Sequence, residues 1–189
     1  MKVGVRSQEF ASAPLYRRVL GDDFDRMPKP LQRMHDLKGE IIAKGLADIE
    51  RGTNLPARLI AALVGFPKEG REIPVQVVFR TENGREIWRR KFGGRPFFST
   101  QEEGTGRFDR LLCERFGPFA FGLALVLEEG RLKLVVRRWT FFGLPLPRAW
   151  APKGDSYEHA ADGRFNFHVE IVVPLAGLVV RYRGWLMPV

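Results

Sequence analysis

Cysteine is almost missing from this chain: Cys113 is the single one among 189 residues. An internal disulfide is therefore excluded, and no CxxC pair or Cys/His cluster offers the ligands of a structural zinc site. Because paired cysteines are typical of oxidising compartments, a chain with one thiol fits a reducing compartment better.

Long apolar runs are missing as well. No stretch approaches the roughly 20 apolar residues that cross a bilayer as a helix. The beginning of the chain, MKVGVRSQEFASAPLYRRVL, lacks the apolar stretch of about 7–15 residues that marks a secretion signal. These absences, together with the single thiol, predict a cytoplasmic protein.

Catalytic and cofactor signatures are missing too. The sequence has no GxGxxG after a strand, no GxxxxGK[ST], no GxSxG and no HExxH, so nucleotide-binding and hydrolase functions lack their minimum chemistry. His35, His159 and His168 share no metal-binding spacing, and His35 is expected on the surface or at the end of a helix. We therefore expect no catalytic residue, no metal site and no cofactor, and a binding module is favoured over an enzyme.

Acidic residues are fewer than basic ones, 22 against 31, which gives a formal net charge of +9. Such a field favours anionic partners, namely nucleic acid, phospholipid head groups or an acidic ligand. The basic residues are scattered in ones and twos and interrupted by acidic ones, a pattern typical of a solvated face. Arginine and aromatic residues interleave in WRRKF and RRWTFF, as on single-strand-binding platforms, but no RNP-like or helix-turn-helix signature accompanies them. A nucleic-acid partner is accordingly disfavoured.

What the chain does have is the composition of one globular domain, with 44% hydrophobic and 28% charged residues. We expect a single domain over residues 1–189, of which 1–13 form a loose leader. Pro14 can open a helix that ends at Gly21, with Ser12 as its candidate cap. A second helix is predicted over 30–37 and a third over 55–66, the latter capped by Asn54.

The rest of the sequence alternates with the period of β-strands. A first strand begins at Glu40, and PVQVVFRTE and REIWRRKF flank an Asn83-Gly84 turn, the strongest hairpin signal of the chain. About nine or ten antiparallel strands are predicted, and so many short strands usually close into a barrel. The predicted class is α+β, mostly β, a closed or strongly curved lipocalin-like barrel with N-terminal helices and one short helix after the first strand. The lipocalin likeness is an analogy of topology, and a curved sheet that grips a helix is the alternative.

Several segments spread over nearly the whole chain carry a family resemblance: LYRRVLGDDFDRMPKPLQRMHD, WRRKFGG, ERFGPFAFGL, RRWTFFGLPLP, DGRFNF and VRYRGWL. With these segments the sequence resembles an uncharacterised bacterial family catalogued as domain of unknown function 4166. Some members of that family are fused to oxidoreductase or membrane domains, which implies an accessory role. The resemblance implies no catalytic residues.

Two strands carry candidate ligand-binding residues. In REIWRRKF one face places Arg90 between Trp88 and Phe92, a combination that can hold a carboxylate or phosphate, or can simply cover aromatic rings. In RLKLVVRRWTFF the apolar face continues into Arg138, which is therefore expected inside the barrel. Glu114, which shares a face with Phe116, is its candidate partner, because an unpaired buried charge is costly. The pair either forms a polar floor for a fatty or aromatic acid or is structural only.

The helix over 55–66 has too much apolar surface to lie free in water. We expect it to cap one end of the barrel, with Leu59 and Leu63 as the gate of a pocket. The alternative is that the helix packs on the outer face of FAFGLALVLE, over Ala120, Gly122 and Ala124, around a solid interior.

The sequence thus favours a non-enzymatic module that binds a lipophilic, anionic small molecule in a β-barrel. The alternative is an accessory domain that docks on a membrane surface or a partner enzyme through its basic face.

Overall fold

The strands of the computed structural model, which describes residues 13–189, close into an antiparallel barrel. Ten strands follow one another around the wall, and an eleventh, short strand is attached to one of them. The strands are β1 (Glu40–Arg51), β2 (Gly70–Glu82), β3 (Arg85–Phe92), β4 (Arg95–Glu103), β5 (Leu112–Phe116), β6 (Phe119–Glu128), β7 (Arg131–Phe141), β8 (Leu144–Pro145), β9 (Tyr157–Ala161), β10 (Arg164–Val173) and β11 (Gly177–Pro188).

Closure takes place at two positions that are distant in sequence. β1 pairs with both β2 and β11, and β7 pairs with both β6 and β9, so the barrel wall runs from β1 through β6 to β7 and returns through β9, β10 and β11. The two-residue β8 pairs only with the end of β7. The predicted mostly β, closed antiparallel barrel is confirmed.

Strict alternation of side chains decides which face of each strand is internal. In β2, Val75, Val77 and Phe79 are buried while their neighbours are more exposed. The predicted turn between β2 and β3 is confirmed: Asn83 and Gly84 have φ of 50° and 75°, the positive values that a tight two-residue hairpin turn requires.

In the part of the chain that the structure describes, four short helices cover the ends of the barrel: α1 (Leu15–Leu20), α2 (Asp23–Arg26), α3 (Lys29–His35) and α4 (Leu55–Val64). The helices predicted near residues 14–21, 30–37 and 55–66 are thus confirmed, and α2 is an additional helix between the first two. The Asn54 side chain caps α4 by accepting a hydrogen bond of 2.9 Å from the Ala57 N–H. The predicted leader, apart from Ala13, and the candidate cap Ser12 lie outside the described residues.

The helices divide between opposite ends of the barrel. α1 contacts β4, and α3 contacts β9 and β10, so α1 to α3 cover the end where β1 begins, which we call the helical end. α4 follows β1 and contacts β11 and β1 at the other end, which we call the α4 end. Within the described residues, no helix is long and apolar enough to cross a membrane.

The barrel wall is weakest between β7 and β10. β9 pairs with β7 at three positions only, from Arg131 opposite His159 to Lys133 opposite Tyr157. Nearer the α4 end, β9 does not extend between β7 and β10, and the segment 146–156 fills this part of the wall. Lys153 exchanges two hydrogen bonds of 2.7 Å with Val172 of β10, and the Leu134 N–H donates to the Ser156 carbonyl at 2.9 Å.

A β-bulge in β7 overturns the inward placement of Arg138. Gly122 of β6 lies opposite Arg138 and Leu123 lies opposite Val136, so Arg137 is an extra residue in the wall. One extra residue reverses the alternation beyond it. Arg138 is consequently exposed on the outside, and Trp139 faces the interior in its place.

The outer face of β6 is not covered by α4, which the sequence offered as one alternative for that helix. A Cβ on Gly122 would lie 2.5 Å from the Phe108 ring, so the 3₁₀ turn Gly106–Phe108 packs against this glycine. Phe108, Cys113 and Ala120 form a small buried cluster there, with Leu111 at its edge. The packing of the 55–66 helix on this face is therefore not found. The turn before β5 covers it instead.

Candidate ligand-binding cavity

The interior of the barrel contains a cavity of about 660 Å³. Its wall consists mostly of aromatic and aliphatic side chains from β2, β3, β6, β7, β10 and β11. Leu134, Val136, Val169 and Ile171 face inward yet are only half buried, because the space in front of them is not filled. A solid core would bury such residues completely, so the interior has room for a ligand.

Aromatic rings form a continuous layer at one side of the cavity. Phe97 stacks on Phe116 with 5.3 Å between ring centroids, and Phe116 meets Phe121 edge to face at 6.2 Å. Trp139 continues the layer, stacked parallel to Phe121 at 6.3 Å. Rings held in this way offer a flat apolar surface for a ligand's hydrocarbon portion.

Arg90 is a largely buried cation of the cavity wall. Its guanidinium lies 4.8 Å from the Trp88 ring centroid and 5.5 Å from that of Phe97, within the range of cation–π attraction. Nη1 donates a hydrogen bond of 2.8 Å to the Ser99 hydroxyl, and Nη2 lies 3.4 Å from Oε1 of Glu114. The other guanidinium N–H groups have no hydrogen-bond acceptor among the described residues, so they are available to a ligand.

Glu114 balances the charge of Arg90 and collects three donors on one oxygen. Oε1 accepts from the Ser99 hydroxyl at 2.8 Å, from the Gln101 amide at 3.0 Å and from Arg90. The carboxylate is only 9% exposed and Arg90 only 11%, so both charges are largely removed from water. Oε2 receives no hydrogen bond from the described residues, which leaves it as the acceptor that Glu114 can offer to the cavity.

Tyr182 adds a hydroxyl donor to the same wall. Burial raises the pKa of Tyr182 to about 12, so its hydroxyl stays protonated at any physiological pH. The ring is fixed edge to face against Phe92, with 5.4 Å between centroids. Among the described residues its hydroxyl makes no hydrogen bond, so this donor too can serve a ligand.

The helical end closes the cavity with a second group of polar side chains. The fully buried His35 ring stacks on Tyr16 with 3.7 Å between centroids, and its Nε2 lies 2.6 Å from Oε2 of Glu158. The Tyr16 hydroxyl donates to Oε1 of Gln101 at 3.0 Å, which links this group to Glu114. Burial raises the pKa of Tyr16 and thereby keeps its hydroxyl a donor. His35 is the last residue of α3, as the helix-end expectation had it, but its side chain is buried rather than on the surface, because the helices turn it towards the barrel.

Glu86 is a third buried carboxyl group near the helical end. One of its oxygens, Oε2, accepts a hydrogen bond of 2.9 Å from the Trp88 indole N–H, and the other, Oε1, has no partner. Burial raises the pKa of Glu86, although the Trp88 hydrogen bond opposes this shift. Because the raised pKa means that the folded state holds the proton more tightly than the unfolded chain, Glu86 contributes stability that is lost as the pH rises.

We expect Glu86→Gln to reduce this loss of stability. The unfolded carboxyl titrates near its ordinary pKa of 4.5 and the folded one at higher pH, so Glu86 destabilises the fold progressively as the pH rises through that interval. The difference in free energy of unfolding, variant minus wild type, should therefore increase with pH above about 4.5. Urea denaturation at a series of pH values measures it. A difference that is constant or falls with pH would contradict the assigned burial effect.

The cavity opens towards the α4 end and the 146–156 segment. Residues of its wall near the helical end, such as Phe79 and Phe165, are buried, whereas Phe119 and Trp139 are half exposed and Trp150 is largely exposed. α4 caps part of this end through Ile60 and Val64, which line the cavity. The opening therefore lies between α4 and Trp150, beside the weakest part of the wall.

Leu59 and Leu63 do not form the predicted gate. Their side chains are 61% and 77% exposed and point away from the cavity, while Ala57 and Ala61 are buried beneath the helix. The helix is apolar on both faces, and the sequence alone gave no reason to prefer Ile60 and Val64 as the inner pair. The placement of α4 over the barrel end agrees with the expectation, but the residues that face inward are different.

Of the predicted binding residues, Trp88, Arg90, Phe92, Glu114 and Phe116 line the cavity, whereas Arg138, Leu59 and Leu63 lie outside it. Glu114 pairs with Arg90 rather than with Arg138. Their role in binding remains a prediction. Sequence reasoning missed the contributors from distant strands: Gln101, Trp139, Tyr182 and the 150–156 segment. The alternation of β4 and β11 contained the signal for Gln101 and Tyr182, whereas the bulge concealed Trp139.

Over residues 13–189, no group of three or more His, Cys, Asp and Glu side chains is placed to hold a metal ion. A search of curated proteins finds no match to this sequence. A family model, described as a domain of unknown function (DUF4166), matches residues 27–186, a span that includes all the cavity-lining residues and all of the barrel except the last two residues of β11. The chain therefore belongs to the family of domain of unknown function 4166.

Proposed function

We propose that this domain is a non-enzymatic binding module that holds a lipophilic small molecule with a hydroxyl head group. The observation that carries the proposal is the cavity of about 660 Å³, whose mostly apolar wall contains the largely buried pair Arg90 and Glu114. Ligand sites of about 300–1,000 Å³ with a few convergent polar groups are typical of small-molecule binding proteins.

The polar centre favours a head group that both donates and accepts hydrogen bonds. Oε2 of Glu114 can only accept, whereas the remaining N–H groups of Arg90 and the hydroxyl of Tyr182 can donate. An alcohol satisfies both sides at once. A carboxylate would satisfy the donors but would place a second negative charge beside Glu114, which already neutralises Arg90. The anionic ligand predicted from the sequence is therefore the alternative that the test must separate.

The apolar wall favours a hydrocarbon tail over a compact polar metabolite. Aromatic rings line the cavity, among them Phe116, which stacks on Phe97. The half-exposed aliphatic side chains of β7 and β10 line it as well. Covering these surfaces removes apolar area from water, which contributes about 25 cal/mol per Å². The ligand would enter between α4 and Trp150. Beside this opening, the wall between β7 and β10 is closed by the few hydrogen bonds of the segment 146–156 rather than by a continuous pair of strands.

Native mass spectrometry before and after extraction with organic solvent tests whether a ligand is present. We expect a small mass that co-purifies with the protein and is lost on extraction. The extracted protein should then bind a fluorescent long-chain alcohol more tightly than the carboxylic acid of equal chain length. No co-purifying mass together with no binding of either probe would overturn the proposal, and a preference for the acid would establish the anionic alternative.

Cavity-filling variants decide whether binding takes place inside the barrel. Val136→Phe with Val169→Phe should lower probe affinity about tenfold or more without loss of stability, because the new rings occupy space that is empty. Val126→Phe, the same change on the outer wall, is the matched control and should bind as the wild type does. Unchanged affinity in the filled variant would contradict an internal site.

Glu114→Gln should shift the preference towards the acid, because it removes the charge that opposes a carboxylate.

A further inference from the structure

The α4 end of the barrel exposes an unusual concentration of large apolar side chains. Antiparallel strands bring the end of β1, the beginning of β2, the end of β7 and the β10–β11 turn to the same end. Most of the large apolar side chains that the described structure exposes lie there: Leu55, Leu59, Leu63, Phe141, Phe142, Leu144, Trp150 and Leu175. We call this set the apolar rim.

The apolar rim is composed of separate segments that are tied together. The Asn54 side-chain amide donates a hydrogen bond of 2.8 Å to the Ala176 carbonyl, which joins the beginning of α4 to the turn that carries Leu175. The Phe142 N–H donates to the Pro118 carbonyl at 2.8 Å, and the Trp139 indole donates to the Pro147 carbonyl at 3.0 Å. These hydrogen bonds fix the segments that carry the exposed apolar side chains. The exposed side chains themselves face water and cover no part of the core.

Basic residues accompany the apolar rim. Arg58 lies on the exposed face of α4 between Leu55 and Leu59, Lys68 and Arg71 follow the helix, Arg95 opens β4, and Arg148 precedes Trp150. These five side chains are exposed, and none forms a salt bridge within residues 13–189. Two exposed acidic residues lie beside them, Glu69 just before β2 and Glu72 near its beginning. Exposed leucine and aromatic tips surrounded by unpaired cations are the arrangement that anionic phospholipid surfaces bind.

We propose that the apolar rim inserts into the surface of an anionic phospholipid membrane, while Arg58, Lys68, Arg71, Arg95 and Arg148 contact the lipid head groups. The α4 end would face the membrane, and the helical end would point away from it. A second copy of the chain fits less well, because each rim carries five unpaired cations against only Glu69 and Glu72, so two rims would repel one another. This inference is independent of what occupies the cavity, although the cavity opens at the same end.

Flotation of the full chain with vesicles tests the proposal. We expect binding to vesicles that contain phosphatidylglycerol with phosphatidylcholine, much weaker binding to phosphatidylcholine alone, and release by about 0.5 M salt, which screens the head-group contacts. Trp150 should report insertion through a blue shift of fluorescence, and Trp150→Phe should remove that shift. Binding that is equal for both vesicle types, or that resists salt, would overturn the proposal.

Substitutions in the rim separate apolar insertion from general charge attraction. Leu59→Ser with Leu63→Ser should reduce vesicle affinity about tenfold, since two exposed leucines lose their apolar contact with the lipid. Phe98→Ser with Met187→Ser changes two exposed apolar residues outside the rim and should bind as the wild type does. Equal effects of the two pairs, or self-association that only the leucine variant abolishes, would overturn the membrane assignment. Retention of the co-purifying mass by the leucine variant would show that the cavity is unaffected.

Discussion

Glu114→Leu is expected to lower the free energy of unfolding by about 3–5 kcal/mol, because it leaves the Arg90 guanidinium buried without its counter-charge. The Ser99 hydroxyl and the Gln101 amide lose their shared acceptor at the same time. For a chain of this size such a loss lowers the melting temperature by roughly 6–20 °C. Urea denaturation followed by tryptophan fluorescence measures the change.

The double variant Arg90→Met with Glu114→Leu separates the cost of an unpaired charge from the loss of packing. Replacing both partners of a buried pair by apolar residues of similar volume is often nearly neutral. We therefore expect the double variant to regain most of the stability lost in Glu114→Leu. If the single losses simply add, the two side chains do not interact energetically, and the paired centre of the cavity is wrongly assigned.

Gly45→Ala is expected to prevent the barrel from closing. Gly45 lies in the middle of β1, opposite Val75 of β2 and Leu186 of β11. A Cβ at this position would overlap the backbone carbonyl oxygen of Trp185, which cannot rotate away as a side chain could. We expect a loss of at least about 4 kcal/mol, among the largest effects of a single substitution. Most of the expressed variant should be insoluble, and any soluble fraction should melt far below the wild type.

Gly94→Ala is the matched control for this substitution. Gly94 has a φ of 84°, so an alanine there is strained by the backbone alone, and its Cβ would meet nothing within 4 Å. The expected cost is about 1–2 kcal/mol, and the variant should fold. If Gly45→Ala is no more destabilised than Gly94→Ala, the close approach of β1 and β11 does not constrain the barrel.

Much of the wall could be predicted because alternation is a local property. The period-2 pattern of REIWRRKF placed Trp88, Arg90 and Phe92 on one face, and the Asn83-Gly84 turn fixed the register of β2 with β3. Glu114 and Phe116 followed from the same rule. The alternation predicted the wrong inner face for the end of β7. A bulge arises from how β7 pairs with β6, and this pairing is not a local property of the sequence. The hydrophobicity of Val136, Arg138 and Trp139 contains no sign that an extra residue reverses the face.

The amino-acid sequence by itself determined that this protein is a mostly β barrel with apolar and aromatic inner faces and an excess of basic charge. Local periodicity, turn residues and composition carry that information. Tertiary structure alone decided that Arg90, rather than Arg138, pairs with Glu114, and that His35 lies buried against Glu158. It also decided that α4 turns Ile60 and Val64 inward and Leu59 and Leu63 outward. Contacts between strands and helices distant in the chain settle these choices, since both faces of α4 carry large apolar side chains in sequence.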